Sequence, residues 1–89
     1  MKYMLVRNKV RNYEKWKQVF DAHIDDTLEA ELKLVRLWQS MDDSNEVFFL
    51  FEIGNMEKAK AFAADPANAE VGKQTGVLEG EIHYVEEVK

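Results

Sequence analysis

One histidine of this sequence is placed where it can do acid–base chemistry. It lies in the segment NYEKWKQVFDAHIDDTLEAE, in which Trp16, Phe20 and His23 recur at spacings of four and three residues. An imidazole that faces an apolar wall can act as a general base near neutral pH. The same pattern is also typical of a histidine that is buried for packing with its ring nitrogens hydrogen-bonded, so both interpretations stay open.

Most other kinds of reactive site lack the residues they need. The chain contains no cysteine, which excludes disulfide bonds, thiolate nucleophiles and cysteine-ligated metals. Its two histidines are too few for a histidine-rich metal site. Ser40 and Ser44 have no neighbouring histidine, and the four glycines are too widely spaced for a phosphate-binding loop. The sequence therefore predicts neither a bound metal nor a cofactor.

The length and composition are those of a single globular domain over residues 1–89. A chain of 89 residues buries a modest core, so a lone monomer would be marginally stable, and oligomerisation is a natural remedy. With 46% apolar and 33% charged residues, the chain is too apolar to be disordered and too charged for a membrane protein. We see no apolar run of about 18 residues and no signal peptide, so we expect a cytoplasmic protein without a membrane partner. The net charge of −5 argues against binding to nucleic acid.

Along the chain, segments with apolar residues at every second position, typical of strands, alternate with segments in which they recur every three or four residues, typical of helices. The predicted strands are residues 3–10, 32–41, 47–53 and 82–88. The predicted helices are residues 12–30, a segment within 55–65, and a short third helix at 66–75. Asn12, Asn55 and Asp65 are suited to begin these helices as N-caps, and Gly76 is suited to end the last one. The order β-α-β-β-α-β predicts a ferredoxin-like α+β fold, with a four-stranded antiparallel sheet and helices on one face.

The stretch VFFLFEIG, residues 47–54, predicts a strand that is apolar on both faces. One face should pack under the helices. The side chains expected on the other, helix-free face are Phe48, Leu50 and Glu52, joined by Leu34, Arg36 and Trp38 from the preceding strand. Such a face is too apolar for water and is expected to pack against a second copy of the chain. In that homodimer interface we expect Arg36 and Glu52 to form an ion pair; the alternatives are that Glu52 contacts a ligand or lies in solvent at the rim.

Three stretches of the chain resemble a known superfamily. They are RNKVRNYEKWKQVFDAH, DDSNEVFFLFEIGNMEKAKAFAADP and TGVLEGEI. Together they resemble the dimeric α+β barrel superfamily, close to its small cyclase-like and antibiotic-biosynthesis-monooxygenase-like domains, over nearly the whole chain. The resemblance implies a homodimer whose two sheets close into a barrel, with a pocket in each subunit between the helices and the sheet.

Members of that superfamily differ in what they do, and a fold alone does not choose among them. They include cofactor-independent monooxygenases of polycyclic aromatic substrates, haem-degrading enzymes, muconolactone-isomerase-like enzymes and proteins without an assigned activity. Asn8 matches an asparagine that the haem-degrading enzymes carry late in the first strand. However, residues 56–76 contain no histidine, whereas those enzymes bind iron through a histidine on this segment.

The resemblance leads to two functions of different classes. In the first, the protein is a cofactor-independent monooxygenase or related enzyme acting on a hydrophobic aromatic or polyketide-like molecule. His23 would then be the catalytic residue, and the substrate would contact Trp16, Phe20, Phe62 and Tyr84, or His83 in place of Tyr84. In the second, the protein is a non-catalytic dimer that binds a small ligand or has a structural role. The first requires an open cavity with a polar group, whereas in the second the aromatic side chains can fill that space.

Overall fold

The secondary structure follows the order β-α-β-β-α-α-β in a computed structural model that describes residues 1–88. The strands are β1 (Lys2–Val10), β2 (Leu32–Gln39), β3 (Glu46–Ile53) and β4 (Val77–Glu86). The helices are α1 (Tyr13–Glu29), α2 (Met56–Ala64) and α3 (Pro66–Gln74). All strand pairs are antiparallel, in the order β2-β3-β1-β4. The predicted ferredoxin-like α+β fold is therefore confirmed.

Local capping signals set the ends of the helices. The side-chain oxygen of Asn12 accepts a hydrogen bond of 3.0 Å from the backbone N–H of Lys15 at the start of α1. Asn55 caps α2 in the same way. Asp65 ends α2 in an extended conformation, as expected before proline, and its carboxylate caps α3. Gly76 ends α3 with a φ of 84°, the left-handed conformation that glycine adopts without strain.

The hydrophobic core lies between the helices and one face of the sheet. Trp16 of α1 is 3% exposed and stacks on Phe20, with ring centroids 4.8 Å apart. The Trp16 ring also lies 5.8 Å from that of Phe49 on β3. The other buried apolar residues are Met4, Val6, Val10, Leu32, Val47, Phe51 and Ala59. Trp16 is therefore primarily a core residue.

A bulge in β2 places one of the predicted interface residues, Leu34, on the opposite face from the others. Leu34 lies opposite Phe51, whereas Arg36 lies opposite Leu50, so Val35 is an extra residue between the two pairs. As a result Leu34 packs against the core, whereas Arg36 and Trp38 share the helix-free face with Phe48 and Leu50. The prediction that placed Leu34 on the helix-free face is wrong, because it assumed that side chains alternate between the two faces along an unbroken strand.

Arg36 does not lie directly opposite Glu52 in the sheet. Glu52 lies opposite Lys33 on β2 and opposite Tyr3 on β1. None of the ion pairs within residues 1–88 includes Glu52, so no Arg36–Glu52 pair forms inside one chain.

The last strand begins earlier than the sequence predicts, at Val77 rather than at position 82. Glu79, Gly80 and Glu81 are poor strand formers, but the backbone ladder with β1 holds them in the sheet. None of the helices in the described residues is both long enough and apolar enough to cross a membrane.

Candidate functional site

A cavity of about 1060 Å³ lies between the helices and the sheet. Its floor is formed by β1, β3 and β4, and its walls by all three helices. The cavity exists because the helices do not cover the outer edge of the sheet, where Ile82 on the helix side of β4 stays exposed. Ligand pockets in proteins commonly have volumes of about 300 to 1,000 Å³, so this cavity has room for a molecule of several fused rings.

Several aromatic side chains line the cavity. Phe20 of α1 and Phe62 of α2 are both half-buried and line the cavity. Their contact with a substrate stays a prediction. Phe20 is held in place by Phe49, with ring centroids 5.2 Å apart in an edge-to-face arrangement. Trp16 also reaches the cavity, although most of its ring is in the core. A flat apolar ligand would therefore meet a wall whose rings are already fixed by packing.

His23 lies on the cavity wall but is not buried. Its side chain is 51% exposed, and its Nδ1 is 3.1 Å from Oδ2 of Asp26, one turn further along α1. Of the two interpretations left open by the sequence, the one that buries His23 for packing is wrong. Ile24 and Thr27 occupy the face of α1 toward the sheet, and His23 flanks that face. When Nδ1–H donates to a carboxylate, Nε2 remains the basic nitrogen, so this pair can take a proton from a ligand at the cavity mouth.

Asn8 is a polar residue on the cavity floor. It is half-buried on the helix side of β1, in the alternating series that contains Met4, Val6 and Val10. No hydrogen bond among the described residues involves its side-chain amide. By contrast, the other neutral polar side chains of the wall donate to backbone carbonyls; they are Thr27, Asn68 and Thr75. The Asn8 amide can therefore both donate to and accept from a ligand.

Sequence reasoning connected Asn8 only with the haem-degrading enzymes and did not predict it as a site residue of this protein. The signal that could have found it is the alternation of β1. A polar side chain interrupts a series of otherwise apolar, helix-facing positions, and in a strand such a residue faces the same side as its apolar neighbours.

The two candidate residues of β4 occupy different faces. Tyr84 lies opposite Met4 and therefore faces the helices, whereas His83 lies opposite Leu5 on the helix-free face. Tyr84 does not line the cavity: Lys60 lies over its ring, with Nζ 5.7 Å from the ring centroid. From the helix side of β4, Val77, Gly80 and Ile82 line the cavity instead. Within residues 1–88, no three His, Asp or Glu side chains come together as a metal-binding group.

Comparison with known proteins finds similarity at the level of the fold. Neither a protein-family model nor a curated protein sequence matches the chain. A solved structure of a proposed antibiotic biosynthesis monooxygenase from Bordetella bronchiseptica is similar with a TM-score of 0.81 at 12% identity, covering 99% of this chain and 97% of that one. Another antibiotic biosynthesis monooxygenase gives a TM-score of 0.75 at 12% identity, with both chains fully covered.

A third similar structure is a mutant of SnoaB, a cofactor-independent oxygenase from Streptomyces nogalater. Its TM-score is 0.73 at 13% identity, and 99% of this chain and 93% of that one are covered. Such low identities show the fold rather than the activity. The chain therefore has the ferredoxin-like α+β fold of the antibiotic biosynthesis monooxygenase-like proteins, as the resemblance in its sequence implied.

Proposed function

We propose that the protein binds a hydrophobic aromatic or polyketide-like molecule in the cavity and acts on it as a cofactor-independent monooxygenase or a related enzyme. The observation that carries the proposal is an open aromatic cavity of about 1060 Å³ whose floor presents the unpartnered amide of Asn8. An aromatic wall with a few polar groups is typical of sites that bind small molecules. The oxygenase part of the proposal is supported by the fold shared with SnoaB.

Each of the site residues has a distinct part in this proposal. The rings of the substrate would pack against Phe20 and Phe62, which removes apolar surface from water. His23 would take a proton from an acidic hydroxyl of the substrate, and the resulting anion would accept a hydrogen bond from the Asn8 amide. A more electron-rich anion reacts more readily with molecular oxygen, which would be the oxidant.

We also propose that the protein is a homodimer formed through the helix-free face of its sheet. That face presents the apolar side chains Leu5, Trp38, Phe48, Leu50 and Val85. Trp38 is 45% exposed in the single chain, which is unusual for so large an apolar side chain. Light scattering tests this directly, since the expected mass is twice that of the 10.4 kDa chain.

The alternative is a non-catalytic dimer that binds a small ligand. It is favoured by the position of His23, whose exposed imidazole pairs with Asp26 on the same helix, as many solvated histidines do. The two functions share the cavity and differ only in whether a bound molecule is converted.

An experiment with 1,8-dihydroxyanthrone distinguishes the two functions. In a thermal-shift assay, binding to the folded state raises the melting temperature, which both functions predict. An oxygen electrode then measures whether the protein accelerates oxygen consumption above the spontaneous rate, which only the enzyme would do. Loss of this acceleration in His23→Phe, with binding retained, supports the assigned base. Binding without acceleration favours the non-catalytic dimer, and the absence of any thermal shift over a series of planar aromatics would contradict both.

A further inference from the structure

Acidic and basic side chains line the cavity together with the apolar ones. The residues that carry a full charge are Asp26, Glu29, Lys58, Asp65, Lys73 and Glu81. A charge that is already paired within the chain contributes little to the recognition of a ligand, whereas an unpaired charge selects for a ligand of the opposite sign. The unpaired charges therefore indicate what kind of molecule the cavity accepts.

Most of these charges have a partner in the chain. Asp26 is paired with His23 on the same helix. Nζ of Lys58 lies 3.1 Å from Oε2 of Glu31. Asp65 uses its carboxylate to cap α3. These three residues of the wall are therefore occupied by contacts within the protein.

Two unpaired charges of opposite sign remain on the wall. Glu81 lies opposite Arg7 in the sheet, and its Oε1 is 3.7 Å from Nη1 of that arginine. By contrast, no ion pair among residues 1–88 includes Lys73 or Glu29. Neither side chain forms a hydrogen bond within this part of the chain. One cation and one acid are therefore left to meet a ligand.

The two unpaired charges belong to opposite ends of the cavity. β1 and β2 both pair antiparallel with β3, so α1, which connects them, runs back from the end of β1 to its beginning. Glu29, the last residue of α1, therefore lies toward Met4. The last turn of α3 lies where β1 ends, because the carbonyl oxygen of Gly76 accepts a hydrogen bond of 2.8 Å from the backbone N–H of Arg11. The acid is thus at the Met4 end of the cavity and the lysine at the Asn8 end.

The position of Lys73 is close to that of the Asn8 amide. A Cβ atom on Gly72, the preceding residue, would lie 3.9 Å from the side chain of Val77 at the start of β4. Three residues further along β4, Gly80 lies directly opposite Asn8. Because the lysine side chain is long and flexible, its ammonium group can reach a ligand that is hydrogen-bonded to the Asn8 amide.

We propose that the ligand is a hydroxyaromatic carboxylic acid whose carboxylate binds to the ammonium group of Lys73. This inference rests on the proposed function and names the class of its substrate. The Asn8 amide contacts the hydroxyl group of the ligand, and Glu29 repels the carboxylate from the other end, so the ligand enters in one orientation. Lys73 is thus a residue that determines specificity rather than a catalytic residue.

A carboxylate suits this wall better than a phosphate group. Phosphate is usually bound by arginine, by several backbone N–H groups of a glycine-rich loop, or by both. Among residues 1–88, no arginine lines the cavity, and Lys73 is the one unpaired cation on its wall. A single ammonium group matches a single negative charge.

Two ligands of the same shape test the carboxylate. 1-Hydroxy-2-naphthoate and its uncharged amide, 1-hydroxy-2-naphthamide, share one ring system and differ in charge. In isothermal titration calorimetry the wild type should prefer the carboxylate roughly three- to tenfold, between the values of an exposed ion pair and a buried charged hydrogen bond. This preference should shrink at high salt. Equal affinities would overturn the role of Lys73 and leave the aromatic cavity of the proposed function intact, whereas binding of neither ligand would overturn both.

Substitutions of Lys73 test the residue itself. Lys73→Gln should abolish the preference for the carboxylate, and Lys73→Glu should reverse it. Lys15→Gln is the matched control, because it removes the same charge from the exposed surface of α1 outside the cavity and should keep the preference. A lysine in the last turn of a helix also stabilises that helix through its dipole. Such a role alone would change the melting temperature and not the preference, so a preference that persists in Lys73→Gln would overturn the assignment.

Glu29→Gln tests the orientation of the ligand. The substitution removes only a repulsion, so the preference for 1-hydroxy-2-naphthoate over its amide should stay the same or increase. A decrease would mean that the carboxylate is not kept away from this end of the cavity, and it would overturn the proposed orientation.

Discussion

Asn8 on β1 and Gly80 on β4 lie directly opposite each other, and a Cβ atom on Gly80 would come within 3.1 Å of the Asn8 Oδ1 atom. The absence of a side chain at position 80 is therefore what lets the Asn8 amide take its place on the cavity floor. A strand glycine usually weakens a sheet, and here it lies beside Asn8, whose amide has no hydrogen-bond partner among residues 1–88.

Gly80→Ala should weaken binding without weakening the fold. The added methyl group would push the Asn8 side chain aside, whereas Gly→Ala in extended backbone stabilises by about 0.4 to 1 kcal/mol through the unfolded state. The measurements are the melting temperature shift caused by 1-naphthol and the free energy of unfolding in urea. Gly72→Ala is the control for an added methyl group: Gly72 also lines the cavity, but a Cβ there meets Val77 at an ordinary 3.9 Å and displaces no polar side chain, so binding should change little. Unchanged 1-naphthol binding in Gly80→Ala would mean that Asn8 does not contact the ligand.

Asn8→Leu should cost no stability, since no hydrogen bond within the described residues is lost. We expect a free energy of unfolding equal to or above that of the wild type, as for many polar residues kept for function. Affinity for 1-naphthol should fall roughly two- to tenfold, the value of one hydrogen bond of about 0.5 to 1.5 kcal/mol. Affinity for naphthalene, which has no hydroxyl group, is the comparison and should not fall. An equal loss for both ligands would point to a change in cavity shape instead.

The two tryptophans should respond differently to truncation. Trp16→Ala opens a hole in the core, and we expect a loss of about 3 to 5 kcal/mol in the free energy of unfolding at any protein concentration. Trp38→Ala removes a side chain that is 45% exposed on the helix-free face. Its effect should therefore depend on protein concentration, as expected when a mutation acts on a dimer. Urea titrations at two concentrations measure both. A concentration-independent loss in Trp38→Ala would show that this residue stabilises the single chain.

Glu52→Gln should leave both the mass of the proposed dimer and the free energy of unfolding nearly unchanged. Glu52 forms no ion pair among residues 1–88, so the substitution removes no charged contact that the structure shows. Substitutions at such positions usually change stability by less than about 0.5 kcal/mol. Light scattering and urea unfolding give the two values. A shift toward monomer would instead place Glu52 in an ion pair across the interface.

The sequence by itself determined the elements of this protein and their order. Helix starts at Asn12 and Asn55 and the left-handed end at Gly76 depend on a few neighbouring residues, so they can be predicted from the chain alone. The buried face of β3 follows from a simple alternation for the same reason. The resemblance to a known superfamily then predicted how these elements assemble into the whole fold.

Only the tertiary structure decided which side chains share a surface. Val35 forms a bulge against β3, so Leu34 packs against the core and Arg36 lies on the helix-free face. The alternation of side chains along an unbroken strand cannot predict such an extra residue. The exposure of His23 and the cavity beside Asn8 depend on how the helices lie across the sheet. These properties arise between elements that are distant in sequence, where packing and backbone pairing outweigh any local preference.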